Sequence, residues 1–254
     1  MREYMKERMR RGEVQFGAFV MAPSPALVEM FGYAGFDFVI IDREHGAGGL
    51  ETVENCVRAA EAAGIEALVR IPTGTPSDIL SALETGASGI VVPHVKNAAQ
   101  AVAIAGAATY PPDGTRGFAT TSRAGRHGFI TVDEHFELTR RKVLVMAQIE
   151  DAEALPHVRA IGATPGLDAA FIGPADLSMS MGHRASMDHP AVASAINGVL
   201  DDLAAVGGAM AAAFAPNKDT VIALAAKGVR AICLSGTGIV GAGIRKAAAE
   251  IITR

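Results

Sequence analysis

Two acidic residues end two consecutive apolar runs: Glu150 closes VLVMAQIE (143–150) and Asp176 closes LDAAFIGPAD (167–176). A near-continuous apolar run reads as a strand buried on both faces, so a carboxylate just past its end faces a cleft and not the core. Two such carboxylates from neighbouring strands can hold one hard divalent cation and leave positions open for substrate oxygens and water. Other strand ends are polar as well. FDFVIID (36–42) runs into Asp42–Arg43–Glu44–His45, ALVRI (67–71) holds Arg70, and Gln148 lies two residues before Glu150. An aspartate three residues before a histidine can orient the imidazole and raise its basicity, so Asp42 and His45 are a candidate proton-transfer dyad. Glu44 competes as an acid or ligand, but strand alternation turns its side chain away from that of His45. Arg70 carries a planar fork suited to a carboxylate or a pair of keto-acid oxygens. The turn Gly173–Pro174–Ala175–Asp176 presents backbone N–H groups that can hold a carboxylate. His94, His127 and His183 lie near loops without ligand spacing and read as loop or supporting residues.

These residues meet only if the strands that carry them share one end. Eight short apolar runs recur at 14–20, 36–42, 67–71, 89–93, 143–149, 168–173, 208–214 and 230–235. Helical patterns alternate with them at 25–33, 49–63, 77–84, 97–107, 152–161, 190–205, 217–226 and 238–252. Eight strand–helix units predict a (β/α)8 barrel, whose strand C-termini all open on one face. A doubly wound open sheet is the competing arrangement, but the glycine-rich dinucleotide turn is absent after the first strand, where MAPSPA stands. The polar stretch 108–140 (with YPPDGTRGFATTSRAGRHG) is expected to be one long functional loop. No linker divides the chain, which predicts a single domain over 1–254.

Half of the 254 residues are hydrophobic and a fifth are charged, enough for one large core. The net charge of −4 gives no electrostatic basis for nucleic-acid binding. No run is long and uncharged enough to span a membrane, and the N-terminus has no signal-peptide core. Cys56 and Cys233 read as core thiols in a reducing compartment, which predicts a cytoplasmic protein.

Taken together, FDFVIIDREHG (36–46), LVRIP (68–72), GASGIVVPHV (86–95), YPPDGTRG (110–117), AQIED (147–151), LDAAFIGPADLSMSMG (167–182) and HPAVASAI (189–196) resemble the HpcH/HpaI aldolase family over about 17–248. That family comprises class II pyruvate aldolases. The resemblance implies a barrel of the phosphoenolpyruvate/pyruvate-domain type and a homo-oligomer, a hexamer built as a trimer of dimers, with the C-terminal helix (about 238–253) exchanged between subunits. It implies Mg²⁺, Mn²⁺ or Co²⁺ on Glu150 and Asp176, holding the pyruvate oxygens. Arg70 would contact those oxygens and the developing enolate, Asp42 and His45 would form the dyad, Gln148 would face substrate, and the amides of Ala175 and Asp176 would cradle the carboxylate.

The implied reaction is reversible cleavage of a 4-hydroxy-2-oxo acid to pyruvate and an aldehyde through a metal-stabilised enolate. Lys96, Lys142 and Lys218 do not stand at clear strand ends, which argues against an imine-forming aldolase. The chain departs from the family's pattern at Arg43, at Glu84, at LSGTG (234–238, with Thr237) and at Phe214, expected to line the aldehyde pocket. The alternatives are a carbon–carbon lyase acting on CoA esters, an oxaloacetate decarboxylase, and a non-catalytic oligomer that binds keto acids.

Overall fold

The computed structural model describes residues 3–252. Among these, eight parallel strands close a barrel in sequential order: β1 (Gln15–Val20), β2 (Phe38–Asp42), β3 (Glu66–Arg70), β4 (Gly89–Val92), β5 (Leu144–Ile149), β6 (Ala169–Ile172), β7 (Met210–Phe214) and β8 (Ala231–Ser235). The helices are α1 (Met5–Arg10), α2 (Pro25–Tyr33), α3 (Leu50–Ala62), α4 (Pro76–Glu84), α5 (Ala98–Ala108), α6 (Val132–Lys142), α7 (Val158–Gly162), α8 (Pro174–Ser180), α9 (Pro190–Val206), α10 (Lys218–Ala226) and α11 (Gly236–Ile251). Residues 1, 2, 253 and 254, the ends of the expected domain and of the expected exchanged helix, lie outside the described range.

Strand alternation sorts the core into two layers. Val39, Ile41, Val69, Ile90, Val145 and Ile172 point outward and pack under the helices. Phe19, Phe38, Ile40, Leu68, Met146 and Phe171 point inward and fill the barrel. Gly17 belongs to the inward set because a Cβ there would lie 2.3 Å from the Phe38 ring. The same parity carries Asp42, Arg70, Gln148 and Phe214 inward at the strand C-termini, above the apolar filling.

The opposite mouth is plugged by α1. Met5 and Met9 are buried among the barrel-filling side chains, and the Met5 N–H donates to Glu66 Oε1 at 2.7 Å. Asp168 receives Lys6 at 2.9 Å and Arg10 at 3.0 Å.

Three segments differ from the sequence-based expectation. The stretch 108–140 is not one loop. It contains most of α6, whose start is a reciprocal box of Thr131 and Glu134. That helix buries only His135, so it lacks the apolar stripe that announces a helix. The segment 152–161 starts as a 3-10 turn (Ala152–His157) containing Pro156 and becomes α-helical only at Val158. The turn 173–176 is the N-terminus of a helix, α8, with Gly173 as its cap residue. Cys56 and Cys233 are free buried thiols, and burial pushes Cys56 up to about 11.

Candidate active site

The centre of the site is an ion pair set by strand register. Asp42 and Arg70 are direct partners at the ends of β2 and β3. Arg70 donates from Nε to Asp42 Oδ1 at 3.0 Å and from Nη2 to Oδ2 at 2.6 Å. Asp42 is fully buried and Arg70 is 7% exposed. Arg70 Nη1 also lies 3.2 Å from Glu44 Oε2, an ion pair that lacks hydrogen-bond alignment. The guanidinium stands 4.9 Å from the centroid of the Phe19 ring. Burial acts to lower the Arg70 pKa, but the hydrogen bonds and charge of Asp42, with the charges of Glu44 and Glu150, raise it on balance. Arg70 is therefore a fixed cation at the C-terminal end of β3.

This pairing redirects Asp42. Its Oδ1 accepts the backbone N–H of Glu44 at 3.0 Å and of His45 at 3.3 Å, which bends the chain out of the strand. The Asp42 carboxylate thus holds the His45 backbone, and the carboxylate–imidazole contact expected of the dyad is not made. The physical reason is that a guanidinium directly opposite in register offers two charge-assisted bonds. His45 itself is exposed.

Because the chain bends after Asp42, Glu44 is not turned away as alternation predicts. Glu44, His94 and Glu150 each offer one ligand atom, and these atoms lie within 4.8 Å of one another. The His94 backbone has φ 56°, a left-handed conformation that directs its N–H to Glu150 Oε1 at 2.9 Å. Its ring Nδ1 is 3.0 Å from Asp151 Oδ2 and 3.5 Å from Glu150 Oε1, and Nε2 is 3.5 Å from Glu44 Oε1. Burial opposes the imidazolium, yet the Asp151 hydrogen bond and the charges of Glu150, Asp151 and Glu44 raise the His94 pKa. Burial raises the Glu150 pKa against its bonds from His94 and Gln148.

Glu150 is buried, and its Oε2 accepts a short hydrogen bond from Gln148 Nε2. Gln148 Oε1 is buried with no hydrogen-bond partner among the described residues. Gly173 keeps the space beside this pair open: a Cβ there would lie 2.8 Å from Glu150 Oε2. Asp176 is the third residue of α8 and exposed, outside the Glu44–His94–Glu150 cluster. Pro174 and Ala175 form the first turn of α8, and Phe214 ends β7, half-buried against the barrel filling.

A buried carboxylate raised by desolvation, a second carboxylate, an imidazole and a cradle a methyl group would fill are a donor set that fits a divalent cation. Sequence reasoning gave little weight to His94 and Glu44. Spacing holds no signal for ligands drawn from three different strand ends, although their strand-end positions did.

Glu84, one of the departures, ends α4 at the other end of the barrel. There it accepts from Arg116 Nη2 at 2.9 Å.

Residues 15–240 match the model of the HpcH/HpaI aldolase/citrate lyase family. A 2-dehydro-3,6-dideoxy-6-sulfogluconate aldolase of Pseudomonas putida is 36% identical over 199 residues, covering 78% of this chain and 77% of that protein. A 5-keto-4-deoxy-D-glucarate aldolase of Enterobacter sp. (strain 638) is 33% identical over 202 residues, 80% of this chain and 78% of that one. A crystal structure of an HpcH/HpaI aldolase/citrate lyase family protein from Burkholderia cenocepacia J2315 superposes with a TM-score of 0.90 at 30% identity, covering 97% of this chain and 98% of the other. The barrel, its strand-end residues and these likenesses agree, and the chain belongs to the HpcH/HpaI aldolase/citrate lyase family.

Proposed function

We propose that this protein is a divalent-cation-dependent aldolase that reversibly cleaves a 4-hydroxy-2-oxo acid into pyruvate and an aldehyde. The observation that carries the reading is the juxtaposition of a fixed cation, Arg70, with the Glu44–His94–Glu150 donor cluster on one barrel rim. Aldolase relatives at 36% and 33% identity support the reaction class.

Glu150, with Asp176 or with Glu44 and His94, would hold Mg²⁺, Mn²⁺ or Co²⁺. When bound, the cation supplies Lewis acidity toward the 2-keto oxygen. Arg70, its charge already fixed, stabilises the negative charge that grows on that oxygen as the C3–C4 bond breaks. Gln148 and the backbone N–H groups of Ala175 and Asp176, at the start of α8, orient the substrate carboxylate, and Gly173 and Pro174 shape the wall beside it. His45 removes the C4 hydroxyl proton, which leaves the aldehyde and the pyruvate enolate; the same group returns a proton in the reverse direction. Phe214 bounds the aldehyde end.

The protein is further proposed to be cytoplasmic and to act as a hexamer, a trimer of dimers, with α11 exchanged between subunits. Exposed Ile239, Val240 and Ile244 on α11 support a helix covered by another copy. No helix among the described residues is long and apolar enough to cross a membrane.

The test is pyruvate release from a panel of 4-hydroxy-2-oxo acids, with each metal and with EDTA. Metal-dependent pyruvate formation from at least one member is the expected result. No release from any member, by metal-loaded protein of verified fold, would overturn the reading.

A further inference from the structure

The chain leaving β4 is fastened to the end of β5. β4 ends at Val92, and Pro93 has no N–H to continue the ladder. The next two amides both turn to β5: the His94 N–H donates to Glu150 Oε1 at 2.9 Å and the Val95 N–H to the Gln148 carbonyl at 3.2 Å. His94 makes that turn with a left-handed backbone, φ 56°. A residue with a Cβ adopts this conformation at a cost, so it persists only where the surroundings hold it. Glycine and asparagine adopt it more readily.

Two anchors hold it. On one side Val95 is buried in the apolar layer beneath the helices. On the other, the His94 ring places Nδ1 3.0 Å from Asp151 Oδ2. An ionised carboxylate only accepts, so Nδ1 carries the proton and donates it into this bond. The second oxygen of Asp151 faces Lys96 Nζ at 3.8 Å, which steadies the carboxylate from behind. The ring thus clips the backbone at 94 to the residue that follows Glu150. Glu150 itself is gripped at both oxygens, Oε1 by the His94 amide and Oε2 by the Gln148 side chain.

We propose that His94, clipped by Asp151, is a positioning residue whose left-handed backbone N–H sets the orientation of the Glu150 carboxylate toward a divalent cation. The role rests on Glu150 being a ligand of that cation, as proposed above. Hydrogen-bond partners that orient a ligating carboxylate typically change metal affinity about 10- to 100-fold when removed. Neither His94 nor Asp151 has to touch the cation or the substrate to have this effect.

The test is calorimetric titration of Mn²⁺ into EDTA-stripped protein, with the visible spectrum of the Co²⁺-loaded protein as a second readout. His94→Ala and Asp151→Ala should each weaken Mn²⁺ binding by about fivefold or more. The double variant should lose no more than His94→Ala alone, because ring clip and amide form one device. His94→Asn takes the left-handed backbone without the imidazole, so it should recover most of the affinity lost in His94→Ala and keep the Co²⁺ bands in place. In pyruvate-formation assays the loss should appear as a higher metal concentration for half-maximal rate, with kcat recovering at saturating Mn²⁺. Glu150→Gln is the control. Undiminished Mn²⁺ binding in Glu150→Gln overturns Glu150 as a ligand and the positioning role with it. Loss in Glu150→Gln, with His94→Ala and Asp151→Ala within about twofold of wild type, overturns the positioning role alone. A loss in His94→Asn as deep as in His94→Ala, or shifted Co²⁺ bands, makes His94 a direct ligand and also overturns it. Should His94→Ala not fold, Asp151→Ala and His94→Asn decide.

Discussion

The Asp42–Arg70 pair makes a demanding prediction because both groups are buried and in direct register. Asp42→Ala removes two hydrogen bonds to a guanidinium and two to backbone N–H groups, and leaves Arg70 with Glu44 as its remaining near counter-charge. Removing one partner of a buried pair costs about 3–5 kcal/mol. Glu44 holds the value toward the lower end, and the two orphaned backbone donors push it up by about 1 kcal/mol each. The net expectation is a loss of about 3–5 kcal/mol, a fall in unfolding midpoint of roughly 6–20 °C for a chain of this size. Asp42→Asn keeps an acceptor but not the charge and should lose about 2–3 kcal/mol. The decisive arm is a double-mutant cycle followed by urea and thermal denaturation at matched protein concentration. If the cost of Asp42→Ala is a stranded charge, then Asp42→Ala in an Arg70→Met background should cost at least about 2 kcal/mol less than in the wild-type background. Additive losses would refute the claim that Asp42 serves as the counter-charge of Arg70.

EDTA should abolish pyruvate formation and Mn²⁺, Co²⁺ or Mg²⁺ restore it, while Glu150→Gln should weaken metal binding at least tenfold by calorimetry; full activity in rigorously metal-free protein would contradict this. His45→Ala should reduce aldol cleavage about 10²–10⁴-fold and oxaloacetate decarboxylation far less, because that reaction has no C4 hydroxyl proton to remove, whereas Arg70→Ala should damage both. Phe214→Leu should change aldehyde preference by about 1–3 kcal/mol in competition assays at unchanged pyruvate affinity. Met9→Ala, beneath the barrel in α1, should lower stability by about 2–4 kcal/mol in denaturant titration and leave the pyruvate KM near wild type.

The barrel was legible because its signal is local and repeated. Most of the apolar runs are buried on both faces and so are nearly uninterrupted, and every one of the eight falls within two residues of an observed strand. Helices were legible where apolar spacing or a cap marked them: Asn97 accepts the N–H of Gln100, and Asn217 that of Thr220. They were missed where burial is sparse. In α6 only His135 is buried, and α1 is a six-residue plug whose Met5 and Met9 meet a partner surface made by the whole barrel.

The site was legible by position and illegible by partner. Asp42, Arg70, Gln148, Glu150, Gly173 and Phe214 were named from strand ends, and strand parity does bring them to the upper rim. Which side chain meets which is set by cross-strand register, which no single segment encodes. Asp42 lies three residues from His45 along the chain, but its lateral neighbour is Arg70, and two charge-assisted bonds outcompete a sequence-local imidazole. The same register effect bears on the proton-transfer role proposed for His45. Its imidazole is exposed and Asp42 is committed elsewhere, so any orienting carboxylate must come from a group other than Asp42. Asp42 would then act on the reaction by fixing Arg70 and the bend at 44–45. Asp42→Asn should accordingly depress oxaloacetate decarboxylation and aldol cleavage by similar factors, unlike His45→Ala. A selective loss of aldol cleavage in Asp42→Asn would restore the dyad and refute the role that register assigns to Asp42.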